Sequence, residues 1–325
     1  MVKTGLLFLL GETLFLLAII SFAADFLSKS AEVLEKKFGA SFVGSVLLGF
    51  VTTLPELVFV VVAVLALENY VALGSAIGGN ILLFTIGYGM VILLAYVYHK
   101  RLITLSPTLR DDLWYLLIAS LFILLAAADG EFQLWEGLVL WVIYVIFIID
   151  QFYESGEVMA TNVEKTEPIT SKEKKVSLSF LVVGSVLLLL AAEPFVHTIV
   201  DLSEEIGVSA LFLALVISPF ASEMLEKISA FLLTKKSMEG AEIAIANFIG
   251  SKVQNNSLLF GVMIVIACTA GEPFKIGDEV INLLLMVVTT IVGVKITFDL
   301  ELCPKEGVLA VLLYVLVVIA LFKIG

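Results

Sequence analysis

The chain has 325 residues, of which 60% are hydrophobic and 15% charged, with a mean hydropathy of +1.10. No soluble globular domain has that composition. The net charge of −12 sits in loops and excludes a basic nucleic-acid surface. The two cysteines, Cys268 in an apolar run and Cys303 in a loop, give no disulfide framework.

A membrane-spanning helix needs about 20 apolar residues. Ten such runs follow one another, at 5–27, 41–66, 70–98, 111–128, 133–151, 177–200, 207–233, 241–270, 279–297 and 306–323. They are continuous rather than alternating, which excludes a β-barrel. The first run begins after Lys3 and ends near Phe22-Ala23-Ala24, the outline of a secretory leader. Its length and its counterpart later in the chain assign it as a permanent helix. The second run holds a single charge, Glu56, directly after Pro55 in GFVTTLPELVF at 49–59. Runs 41–66 and 241–270 exceed the bilayer thickness and need a tilt or a break. The third run carries Ser75 and Asn80. The polar stretch 153–176 separates the first five runs from the last five and reads as a flexible connector. The seventh run holds Ser218, Pro219, Ser222, Glu223, Glu226 and Lys227. The eighth holds Asn247, Ser251, Lys252, Gln254 and Asn255. The expected fold is an all-α polytopic membrane protein of ten transmembrane helices. Residues 1–152 form a first five-helix repeat, 153–176 a linker and 177–325 a second repeat.

Basic residues sort the loops. Lys29, Lys36, Lys37, Lys100, Arg101, Arg110, Lys165, Lys172, Lys174, Lys175, Lys235, Lys236, Lys295 and Lys305 all fall in one alternating set. The other set, with both termini, holds Lys3, Lys275 and Lys323. The positive-inside rule places both termini outside and the linker in the cytoplasm of a multi-pass cell-membrane protein. The outer loops are acidic and concentrate cations at the mouth.

The halves repeat. Ala23-Ala24-Asp25 corresponds to Ala191-Ala192-Glu193, Gly39-Ala40-Ser41 to Gly207-Val208-Ser209, and Glu56 to Glu223 after a one-residue gap. Ala76-Ile77-Gly78-Gly79-Asn80 corresponds to Phe248-Ile249-Gly250-Ser251-Lys252. Each half has an odd number of helices, so the second enters the membrane from the opposite side. Such inverted repeats build many secondary transporters, with substrate sites at the midplane on broken helices. Pro55 and Pro219 stand where those breaks are expected.

A carboxylate at mid-membrane costs on the order of 2.5–3.5 kcal/mol even on the lenient insertion scale. Two related acids, Glu56 and Glu223, point to a shared cation site. Thr52, Thr53, Ser218 and Ser222 supply hydroxyls for ligation or capping. Ser75, Asn80, Asn247, Ser251, Gln254 and Asn255 form a polar stripe of hard oxygen ligands or interhelical hydrogen bonds. Glu226 is a further acid one turn on. Lys227 is spaced to pair with Glu223; Lys252 neutralises Glu223 or Glu226, the favoured reading, or fills a place where another carrier would bind a cation. Oxygen-rich, sulfur-poor surroundings favour a hard cation. His99 and His197 stand alone, which argues against a transition-metal site or an intramembrane hydrolase. A passive cation channel is the alternative from another class.

TLPE at 53–56, SEMLE at 222–226, GGN at 78–80 and GSKVQ at 250–254 resemble the two α-repeats of the calcium/cation antiporter superfamily. The likeness covers nearly the whole chain and is nearest to its cation/proton exchanger branch, in particular to prokaryotic H+/Ca2+ antiporters. It implies the sodium/calcium exchanger-like fold and alternating-access exchange of Ca2+ for H+. Glu56 and Glu223 then bind either ion, Gln254 lies near the second binding region, and there is no cofactor. Three features depart from the family pattern: TLPE in place of GNxxE, PFASE in place of a Gly-rich start, and Lys252 at a small or polar position. They leave Na+/Ca2+ exchange open as the close alternative. The expected partners are Ca2+, H+ or Na+ and the lipid bilayer, not nucleic acid; oligomeric state is not specified.

Overall fold

The computed structural model describes the backbone of residues 2–38, 42–161, 170–271 and 274–324. Side chains at 2–4, 28, 31–38, 42–52, 154–161, 171, 221, 224–226, 278 and 324 fall outside the described residues. Each of the ten apolar runs forms a helical segment: α1 (Val2–Phe38), α2 (Phe42–Leu65), α3 (Asn69–His99), α4 (Leu109–Ala126), α5 (Leu134–Thr161), α6 (Ser171–Ile206), α7a (Ala210–Ser222) with α7b (Met224–Lys236), α8 (Met238–Thr269), α9 (Val280–Thr297) and α10 (Pro304–Ile324). Helix is forced on these runs because lipid offers backbone groups no partners. Polar residues mark the starts. Thr170 and Glu173 make a capping box on α6, and the Ser209 and Ser237 hydroxyls accept from the backbone N–H groups of Phe212 and Gly240. Gly207, at φ +78°, ends α6 in the left-handed conformation that glycine adopts without strain. Helix α5 runs on to Thr161 and α6 starts at Ser171, so helical structure enters the polar stretch from both ends.

Two small antiparallel sheets express the inversion. Strand β1 (Ile103–Thr104), after α3, pairs with β4 (Glu301–Leu302), after α9. Strand β2 (Glu131–Phe132), after α4, pairs with β3 (Phe274–Lys275), after α8. The repeat maps β1 onto β3 and β2 onto β4, so it exchanges the two sheets. Counting helices puts β1–β4 on the linker face and β2–β3 on the face of the termini. The same relation holds inside the bundle. A π-helical segment interrupts α3 at Leu83–Gly87 and α8 at Asn255–Leu259. Single π turns of this kind are frequent at functional sites.

The proline expectation holds only in part. Helix α2 passes through Pro55 without interruption, because one lost donor leaves neighbouring bonds intact and packed neighbours can satisfy the freed carbonyl. The seventh segment does break, at Glu223 (φ −116°, ψ −4°), four residues after Pro219.

The apolar core divides into two clusters. One reaches Ile81 on α3 and Leu259 on α8 from the terminal face. The other begins at Leu83 and Val253 and fills the linker half. A layer of buried polar side chains, including Glu56, Asn80, Glu223 and Asn255, lies between them. Helix α3 packs its first half directly on α7a. A Cβ on Gly74 would meet the Leu211 carbonyl oxygen at 2.3 Å, and one on Gly78 the Leu215 carbonyl oxygen at 2.1 Å, a small-xxx-small contact. The repeat-equivalent pair, the first halves of α8 and α2, touches sparsely. No described heavy atom lies within 4 Å of a Cβ built on Gly250. The bundle is thus shut on the terminal side of the polar layer. Gly78→Ala is expected to lower the melting temperature in detergent, with an overpacking cost of about 1–3 kcal/mol. Gly250→Ala is expected to leave it unchanged.

Candidate cation-binding site

Four segments meet in the polar layer. Helix α2 brings Thr53 and Glu56, α3 brings Ser75, Gly79 and Asn80, the seventh segment brings Ser218, Ser222, Glu223 and Lys227, and α8 brings Ser251, Gln254 and Asn255. Glu56 is 3% exposed and Glu223 4%. Glu223 is presented by the hinge itself, as the residue between α7a and α7b.

Gly79 shows how closely the acids approach. A Cβ built there would lie 2.3 Å from Glu223 Oε1 and 2.5 Å from Glu56 Oε1. The two oxygens converge on one point and lie within about 5 Å of each other, where two unit charges repel by roughly 3 kcal/mol at an effective dielectric near 20. Their other oxygens are held. Asn255 Nδ2 donates to Glu56 Oε2 at 2.9 Å, and Lys227 forms a buried ion pair with Glu223 Oε2. The facing Oε1 atoms are buried without a hydrogen-bond partner, as are Asn80 Oδ1, Asn255 Oδ1 and Ser75 Oγ. Buried acceptors lacking donors are rare and costly. Five of them in one polar layer, two converging beside Gly79, are the carboxylate, amide and hydroxyl oxygens that a hard cation takes. Among the described residues no group of three or more His, Cys, Asp or Glu side chains forms. Among the described residues the acids of the site are this one carboxylate pair, with Lys227 on Glu223 and the Asn255 amide on Glu56.

The remaining residues singled out in the sequence take several places. Thr53 Oγ1 donates to Gln254 Oε1 at 3.1 Å, tying α2 to α8. Ser218 and Ser222 donate to carbonyls one turn back, those of Ala214 at 2.5 Å and Ser218 at 3.2 Å, along the helix that leads into the hinge. Asn80 Nδ2 donates to the Ala76 carbonyl at 2.9 Å, leaving Oδ1 to the site. Asn247 and Ser251 share a face of α8 with Gln254 and Asn255 by the spacing i, i+4, i+7, i+8; Ser251 is buried and Asn247 half-buried. The side chains of Thr52 and Glu226 lie outside the described residues.

Lys227 pairs with Glu223 as its spacing predicts. Lys252 departs from expectation. Among the described residues its ammonium makes no ion pair. It donates to the Asn80 backbone carbonyl at 2.7 Å and stands 4.3 Å from the Phe84 ring centroid. A carbonyl dipole and an aromatic face hold it in place of a carboxylate. Two contributions escaped the sequence reading. Gly79 reads as a packing glycine within GGN, although its missing side chain is what admits both acids. Asn255 reads as one more polar residue of the stripe, although its position four residues after Ser251 puts it on the same face.

An inverted-repeat membrane bundle that brings an acid from each half to one buried point defines a class, the secondary transporters of cations. The chain belongs to the sodium/calcium exchanger protein family, which it matches over residues 8–153 and 176–323. This is a family of transporters, not enzymes. The chain is similar to the inner membrane protein YrbG of Escherichia coli strain K12, at 23% identity over 265 residues, covering 79% of this chain and 78% of that protein. Its fold is similar to that of the H+/Ca2+ exchanger CAX, with a TM-score of 0.82 at 20% identity over 97% of this chain and 85% of that one. It is also similar to that of the sodium-calcium exchanger NCX_Mj, with a TM-score of 0.64 at 18% identity over 99% and 100%. The expected all-α fold of two inverted repeats is the fold observed.

Proposed function

We propose that the protein exchanges Ca2+ for protons across the membrane by alternating access, with Glu56 and Glu223 binding one Ca2+ or two protons in turn. The observation that carries this reading is the convergence of two unpartnered carboxylate oxygens on Gly79. One divalent ion or two protons bring the same two positive charges to that point. The two loaded forms therefore carry equal charge across, whatever the nearby lysines contribute. In the empty site the two facing oxygens repel each other, a repulsion eased on the Glu223 side by its ion pair with Lys227. Seven or so oxygens suit Ca2+. The acids, Ser75, Asn80, Asn255 and bound water can supply them, with Thr53, Ser218, Ser222, Asn247, Ser251 and Gln254 in support.

The repeats span 1–152 and 177–325. The connector 153–176 lies in the cytoplasm and both termini lie outside the cell membrane. In that orientation the structure is shut toward the outside along α3 and α7a. The switch closes the equivalent α8–α2 contact and opens this one, with α1 and α6 sliding together past the other eight. These two pack against each other along their length, and a Cβ on Gly184 of α6 would stand 2.9 Å from the Ala23 carbonyl oxygen of α1.

TLPE at 53–56 and the likeness to NCX_Mj keep sodium as the competing driving ion. Liposomes containing the purified protein and loaded with Ca2+ separate the two readings. A pH gradient imposed alone is expected to drive Ca2+ against the proton flow, and a sodium gradient alone to drive none. Sodium-driven flux at constant pH would overturn the proton reading, and flux without any counter-ion would mark a channel.

Lys227 makes a separate prediction. Its removal leaves Glu223 uncompensated in the empty site, a cost of about 3–5 kcal/mol for a broken buried pair. Part of that cost returns when a cation binds. Lys227→Gln is expected to melt at a lower temperature without Ca2+ yet to bind Ca2+ about tenfold more tightly by calorimetry. Weaker binding would show that Lys227 positions Glu223 rather than competing for it.

A further inference from the structure

The two lysines differ in origin. Lys227 comes from the segment that carries Glu223, whereas Lys252 stands where the repeat itself defines a position. Helices α3 and α8 align without a gap. The displacement of 172 residues from Asn80 to Lys252 also carries the π segment Leu83–Gly87 onto Asn255–Leu259. Asn80 carries a buried amide oxygen without a hydrogen-bond partner. At the mirror position Lys252 contributes an ammonium, on a side chain that is 0% exposed.

The surroundings of that ammonium are those of a bound monovalent cation. A backbone carbonyl oxygen one residue from Gly79 accepts from it at 2.7 Å. The face of Phe84, from the adjoining π segment, lies 4.3 Å from it. Carbonyls at irregular helix turns near the midplane are the ligands that inverted-repeat carriers offer to sodium, and an aromatic face attracts a desolvated cation. The polar layer thus holds two acids and two lysines, with the two free carboxylate oxygens facing one point beside Gly79.

We propose that Lys252 is a tethered counter-cation that fills the second cation position created by the repeat symmetry, so that the carrier loads one cargo ion at the glutamate pair and is closed to sodium. This rests on the glutamate pair being the Ca2+ site. It makes Lys252 a specificity residue: the lysine supplies from within the chain what a carrier with an oxygen ligand here would have to recruit from solution.

The test is Ca2+ affinity of the purified protein, by calorimetry, in sodium chloride against choline chloride, each at about 100 mM so that screening is matched. The wild type is expected to bind Ca2+ equally in both. Lys252→Asn, which installs the mirror residue, is expected to bind Ca2+ roughly tenfold more weakly in sodium than in choline. Lys252→Arg, which keeps the charge, is expected to remain insensitive. If the Asn variant does not fold, Lys252→Gln serves the same comparison, because its stem still packs on Phe84. Sodium competition in the wild type, or a folded Asn or Gln variant that stays insensitive, overturns the proposal. Failure of the wild type to bind Ca2+ at all overturns the glutamate-pair reading and this inference with it.

Discussion

Glu56→Gln and Glu223→Gln are each expected to abolish exchange in liposomes and to weaken Ca2+ binding at least about a hundredfold, or roughly 2.7 kcal/mol. Glutamine keeps the shape and removes the charge, so packing survives while the cation loses half of its compensating charge. The two variants differ in stability. At position 56 the amide oxygen still accepts from Asn255 Nδ2, now 2.9 Å from Glu56 Oε2, and little stability is lost. At position 223 the buried Lys227 loses its ion-pair partner, leaving an uncompensated ammonium at a cost of about 3–5 kcal/mol. Adding Lys227→Gln to Glu223→Gln is expected to recover most of the melting temperature and none of the exchange. That double variant separates folding from ion binding. Near-normal flux in either single variant would remove that acid from the mechanism.

Gly79→Ala is expected to have a comparable effect by another route. The new methyl carbon would stand 2.3 Å from Glu223 Oε1 and 2.5 Å from Glu56 Oε1. Both contacts are with the ends of flexible side chains, which can swing aside, so the fold persists. The carboxylates, however, are pushed off the point on which they converge. Ca2+ affinity is expected to fall about a hundredfold with a change in melting temperature near that of an ordinary surface substitution. Its neighbour behaves in the opposite way. At Gly78 the clash is with a backbone carbonyl that cannot swing aside, at 2.1 Å, so Gly78→Ala loses stability first. Calorimetry and thermal unfolding on the two variants tell a site glycine from a packing glycine one residue apart.

Much of the architecture is legible without coordinates because membrane chemistry leaves few choices. Ten apolar runs, alternating basic loops and matched motifs in opposite orientation specify the inverted bundle. Glu56 and Glu223 stand out because a lone acid in an apolar run needs a reason to be there. Lys227 follows from helical spacing alone. What stays hidden depends on distances between segments. Pro55 reads as a break, yet whether a helix parts at a proline depends on what receives the freed carbonyl. Lys252 reads as a partner for an acid, but its stem carries the ammonium across to α3, and a carbonyl with no sequence signature receives it. The value of Gly79 lies in an atom it lacks. The two acids also differ in a way the sequence shows only for one: Glu223 is compensated by Lys227, as spacing predicts, while Glu56 has the amide of Asn255 as its partner.

The most direct test of the shared acid pair is a count of protons released when Ca2+ binds. Purified protein in weak buffer, titrated with Ca2+ at a pH where the site is protonated, is expected to release about two protons per ion bound, because the proposed exchange has one Ca2+ replace a proton on each acid. Glu56→Gln with Glu223→Gln is expected to release none. Ca2+ binding without proton release at any pH, or release that persists when both acids are gone, would contradict the account.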